Sequence, residues 1–148
     1  MTPDIRAAFD SLPPETRGLC EALRGLALQV AEEHPEIGPL TETLKWGEPA
    51  YLTEATGAGS TLRIWRSKGD RRPALFVNCQ TTLVEQFKAH YPATFDYRDS
   101  RAVVLTSPVE EVREALKHCM ALTFTYRLRK RRPLQSPHRL APVPEDET

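Results

Sequence analysis

The chain has 148 residues, 40% of them hydrophobic and 27% charged, with a formal net charge of zero. That is one domain by size, with enough apolar side chains to bury a core. It excludes a global field that would recruit nucleic acid or a membrane surface, and no apolar run is long enough to span a bilayer.

Thr2 and Pro3 have the form of a helix start, and Ser11-Leu12-Pro13-Pro14 breaks that first short helix. A longer helix is predicted from Pro14 to about Glu33. Leu19, Leu23, Leu26 and Val30 recur in it at steps of three and four, which makes one apolar stripe. His34-Pro35 ends it, because the residue before proline avoids helical geometry. Strands are predicted at Thr41–Trp46, Ala50–Thr53, Thr61–Arg66 and Ala74–Val77, with Gly57-Ala58-Gly59-Ser60 as a flexible turn. Thr82 and Glu85 have capping-box spacing ahead of a short helix closed by Tyr91-Pro92. Asp99-Ser100 reads as the turn of a hairpin. Ser107, Pro108 and Glu110 read as cap, first position and capping-box acid of a last helix, ending near Leu128.

Strands joined by short turns make an antiparallel sheet. Helices at the two ends of the chain then cover one face, so the expected class is α+β, a two-layer sandwich. Residues 1–132 form the expected domain. Residues 133–148, rich in proline and acidic at the end, read as a disordered or draped tail.

The most distinctive stretch is Glu42-Thr43-Leu44-Lys45-Trp46-Gly47-Glu48-Pro49-Ala50-Tyr51. Gly47 frees the backbone and Pro49 restricts it, so Gly47-Glu48-Pro49 reads as a rigid bend. Trp46 and Tyr51 each offer an apolar body and a polar tip. With Trp65 they could wall a small-ligand pocket in which Glu48 or Arg63 orients a polar group. The competing reading makes Trp46 and Tyr51 core residues.

Leu12-Pro13-Pro14-Glu15 ahead of the long helix, followed by Glu42-x-x-Lys45-Trp46-Gly47-x-Pro49-x-Tyr51, resembles the YdhG-like family. This is a bacterial group of small domains of unknown function, similar in fold to frataxin. The resemblance covers roughly residues 5–128. It implies an α/β sandwich with an antiparallel sheet and, for some relatives, a role in iron binding or delivery. The dense acidic ridge of frataxins is not present: the long helix mixes Glu15, Glu21, Glu32 and Glu33 with Arg17 and Arg24.

Other chemistry is sparse. Glu110, Glu114 and His118 share a helical face and could hold a divalent ion, but a solvated helix face is the preferred reading. Cys20, Cys79 and Cys119 are widely spaced and read as reduced thiols, not as a disulfide framework or zinc ribbon. Cys20 and Cys119 fall at apolar positions, and Cys79 falls in a loop. Met1-Thr2-Pro3-Asp4 shows no secretory pattern, so a cytoplasmic protein is expected. Arg127 to Arg132 is a basic cluster, read chiefly as a helix end.

The leading expectation is therefore a non-enzymatic binding domain for a small molecule, with Trp46, Glu48, Tyr51, Arg63 and Trp65 at the site. No catalytic residue, metal ligand or cofactor is assigned; iron enters only through the resemblance. Frataxin-like iron handling is the second reading, and an interaction module using residues 127–132 the third. Neither membrane nor nucleic acid is an expected partner, and a homodimer is left open.

Overall fold

The computed structural model describes residues 1–131. Its elements are α1 (Pro3–Asp10), α2 (Pro14–Glu33), β1 (Thr41–Lys45), β2 (Glu48–Leu52), β3 (Leu62–Arg66), β4 (Pro73–Phe76), α3 (Leu83–His90), β5 (Phe95–Arg98), β6 (Ala102–Leu105), a 3₁₀ turn (Val109–Val112), α4 (Arg113–Phe124) and α5 (Tyr126–Arg131). The strands form one antiparallel sheet in the order β1-β2-β3-β4-β6-β5. This is the expected α+β class, with helices from both ends of the described chain flanking the sheet. The expected tail, residues 133–148, lies outside the described residues.

The apolar stripe of α2 does what its spacing requires: Cys20, Leu23, Leu26, Ala27 and Val30 are buried. They join Tyr51, Leu62, Ile64, Leu75, Val103 and Leu105 from the sheet, and Leu116, Cys119, Met120 and Phe124 from α4, in one core cluster. Strand alternation then directs a second set of residues to the opposite face. Ala50, Ala74, Ala102 and Val104 are buried yet stand outside that cluster. Register sets them beside Arg63, Trp65 and Phe76: Ala50 pairs with Arg63, Arg63 with Phe76, Trp65 with Ala74, Phe76 with Ala102 and Ala74 with Val104. We call this the outer face.

Several local expectations need correction. The bend is not at Gly47-Glu48-Pro49. Trp46 and Gly47 alone make a two-residue turn, because both take positive φ, 57° and 78°. Two positive values give the hairpin turn whose twist matches antiparallel strands. Glu48 and Pro49 lie inside β2, paired with Lys45 and Leu44. Neither capping box forms. Thr82 Oγ1 accepts a hydrogen bond from the Gln86 side chain at 3.0 Å, not from a backbone amide of the first turn. Pro108 has extended backbone, φ −57° and ψ 146°, so the chain enters a 3₁₀ turn before α4 begins at Arg113.

The segment Gly57-Ala58-Gly59-Ser60 is not a flexible turn. Ala58 and Ser60 are buried, and the loop is spliced into the last helix. Ser60 N donates to Thr123 O at 2.9 Å, and Leu128 N donates to Ala58 O at 2.8 Å. In a continuous helix Leu128 N would bond Phe124 O; here the loop takes that amide. The helix therefore breaks at Thr125 and resumes as α5. A Cβ on Gly59 would lie 2.1 Å from the carbonyl carbon of Phe124, so only glycine admits this approach.

Candidate functional site

The β1–β2 hairpin holds the five residues singled out from the sequence, together with the adjoining strand β3. Its register follows from the two-residue turn: Lys45 faces Glu48, Thr43 faces Ala50, and Glu42 faces Tyr51. Each of these pairs shares one side of the sheet.

Tyr51 belongs to the core side and is fully buried. Its hydroxyl donates to Glu42 Oε2 at 2.8 Å. The same carboxylate accepts from Arg24 of α2, through Nε at 2.5 Å and Nη2 at 3.0 Å. Burial raises the pKa of Glu42, but the hydrogen bonds from Arg24 and Tyr51 outweigh it and hold the group below the ordinary glutamate value. Burial, reinforced by the Glu42 carboxylate, pushes the Tyr51 phenol far above its usual range. Tyr51 is thus a neutral donor that ties the hairpin to α2, and its ring is closed to solvent.

Glu48, Arg63 and Trp65 lie together on the outer face. Arg63 and Glu48 form an ion pair, and the Arg63 guanidinium rests over the Phe76 ring, 5.1 Å from its centre. Trp65, two residues along β3 from Arg63, is half-buried and also packs against the core cluster. At the other side of this face Arg72 and Arg98 pair with Asp70 and Asp96, at 3.2–3.5 Å. The Ser67 hydroxyl, then the Arg72 amide and guanidinium, hold Asp70 well below the usual carboxylate range. The outer face is therefore a strip of small residues with Trp65 and Phe76 on it and ion pairs at either side.

Trp46 stands apart from all of these. It occupies the tip of the hairpin and is 90% exposed, whereas the other tryptophan is half-buried. Trp46 is therefore accessible to solvent as the tip of a hairpin, and it does not line the cleft described below. The structure gathers Glu48, Arg63 and Trp65, sets Trp46 at the end of the same hairpin and places Tyr51 on the opposite side.

A concave site lies elsewhere. A cleft of about 180 Å³ between the end of α2 and the α4–α5 break is lined by His34, Glu36, Leu122, Thr125, Leu128 and Arg129, with none of the five residues singled out from the sequence. Cys20 and Cys119 are buried, and burial pushes both thiols up to about 12, which removes them as nucleophiles at neutral pH. Cys79 is exposed. Glu110 and Glu114 are exposed, and His118 engages Tyr91 instead of them: Tyr91 Oη and His118 Nδ1 share a hydrogen bond of 2.7 Å. Burial, then the charges of His90 and Arg129, holds His118 below its ordinary value.

Sequence reasoning missed three participants: Glu42 as the partner of Tyr51, Phe76 under Arg63, and His90 beside His118. The first was readable. A turn of two residues at Trp46-Gly47 pairs Glu42 with Tyr51 by counting outward. The other two come from strands and helices distant in sequence and left no local signal. Among the described residues no helix is long and apolar enough to cross a membrane. Comparison with family models, curated proteins and solved structures finds no match.

Proposed function

We propose that this chain is a non-enzymatic binding domain of the YdhG-like type, reading a small organic molecule at the tip and outer face of the β1–β2 hairpin. Trp46 is the observation that carries the reading. A bulky residue at positive φ costs roughly 1–2 kcal/mol, and this turn would accept asparagine or glycine without that strain. An indole that is 90% exposed gains little by burial in return. Both terms work against stability, and a contact made in a complex is what offsets them. A flat apolar body would stack on Trp46. A polar group would exchange with the Glu48–Arg63 pair, which is close at hand on the outer face. Tyr51 supports the hairpin from beneath and does not touch the ligand.

The test is unbiased mass spectrometry with metal analysis on the purified wild-type protein and on Trp46→Asn. An organic molecule carried by the wild type and lost from the variant supports the reading. Stoichiometric iron with no organic ligand would replace it with frataxin-like iron handling. With a ligand in hand, iodide quenching on a Trp65→Phe background measures the contact directly: Trp46 is quenched when free and protected when bound.

A further inference from the structure

The end of α3 and the middle of α4 bring together two imidazoles. His90 is the last residue of α3 and is exposed; His118 lies on α4 and is half-buried. Their ring centres are 4.6 Å apart with planes at 72°. That separation is within the range of edge-to-face ring packing and is also compatible with a shared ion. A metal–imidazole bond of about 2.0–2.1 Å puts each ring centre about 3.2 Å from the ion, so two rings at right or tetrahedral angles have centres about 4.5–5.2 Å apart. The observed separation falls in that interval. The 2.7 Å bond to Tyr91 engages Nδ1 of His118, so Nε2 is the nitrogen that would ligate an ion. A partner on the far nitrogen is the arrangement that orients metal-bound histidines. His90 also sits at the negative end of the α3 dipole, which favours a cation and works against the opposing charge of Arg129 near His118.

We infer that His90 and His118 form a two-imidazole site for a borderline divalent ion of the Zn²⁺, Ni²⁺ or Cu²⁺ type, with Tyr91 as the positioning residue behind His118 and water completing the shell. Imidazole nitrogen suits these ions, whereas oxygen-seeking Mg²⁺ and Ca²⁺ are poorly served by it. No group of three or more His, Cys, Asp or Glu side chains capable of holding a metal occurs among the described residues. The protein therefore supplies two nitrogen ligands, and binding is moderate and exchangeable, as in a sensing or docking site. The site uses α3 and α4 and does not depend on the hairpin reading.

The experiment is calorimetric titration of the full chain with Ni²⁺ and, separately, Zn²⁺. A Cys79→Ser/His138→Ala background removes the exposed thiol and a histidine outside the described residues. The expected result is one saturable site, with affinity reduced at least tenfold by His90→Gln or His118→Gln and about tenfold by Tyr91→Phe. His90→Gln alters an exposed side chain, so its melting temperature should match the parent and separate ligand loss from unfolding. Imidazole nitrogen NMR should place the perturbation on these two rings. Absence of saturable binding, or His90→Gln affinity within twofold of the parent, would overturn the assignment.

Discussion

The two ends of β2 are built in opposite ways. Its first residue follows a turn that stands in solvent, where Trp46 and Gly47 are exposed and both take positive φ. Its last residues lead through Thr53 into a loop whose backbone is locked to α4 and α5. Thr53 Oγ1 accepts from Gly59 N at 2.9 Å, Ser60 N reaches Thr123 O, and Ala58 O receives Leu128 N. Glycine is needed at both ends for different reasons. Gly47 supplies a positive φ in open space, and Gly59 supplies the absence of a Cβ against the Phe124 backbone. One end of the strand is free to meet a partner while the other end carries the fold.

That contrast is easiest to break at the locked end. Gly59→Ala sets a methyl against main chain that has no room to move. It should cost about 3 kcal/mol or more, read as a large drop in the urea midpoint. A Gly59→Ala protein of wild-type stability would show that the loop does not splice into the helix as described.

The tie between hairpin and helix comes next. Glu42→Gln removes a carboxylate that accepts from both Arg24 and Tyr51, and charge-assisted bonds of this kind are worth about 1.5–3 kcal/mol. The same group makes stability depend on pH. Its folded pKa is depressed, so its contribution is complete above the ordinary glutamate value, about 4.3, and is lost as pH falls through the lower folded value. Denaturation curves across that acid range should lose this component in Glu42→Gln. An identical pH profile in the variant would show that Glu42 is not the group responsible.

At the free end the effects are smaller and change sign. Gly47→Ala meets nothing within 4 Å, so it pays only the torsional penalty at φ 78°, roughly 1–2 kcal/mol. Trp46→Asn should stabilise by about 1 kcal/mol, seen as a rise in melting temperature, while abolishing ligand capture. A Trp46→Asn protein that is less stable than wild type would identify the indole as a structural residue and remove the main support for the binding reading.

The gross fold was legible because its signals are local. The stripe Leu23, Leu26 and Val30 marks α2, and the alternation Leu62-Arg63-Ile64-Trp65 marks β3. The break at Pro13-Pro14 follows from proline geometry alone. Cap signals failed because they describe the start of an isolated helix. In the folded chain, Tyr126 Oη takes the Thr82 amide at 3.2 Å, and Pro108 enters a 3₁₀ turn. The expected bend at Gly47-Glu48-Pro49 starts one residue late and ends two residues late, because proline is a common turn former whereas tryptophan at positive φ is a rare one.

What the sequence determined by itself was the class of the fold, the course of α2, the apolar faces and the prominence of the Lys45–Tyr51 segment. All of these depend on neighbours a few positions apart. Tertiary structure alone decided that the Glu42–Tyr51 pair meets Arg24 of α2, that Gly59 lies on the Phe124 backbone and that His90 meets His118. Those outcomes depend on which sheet face an element covers and on main-chain contacts between segments far apart in the chain. Main-chain contacts are made by atoms every residue has in common, so they leave almost no mark on the sequence.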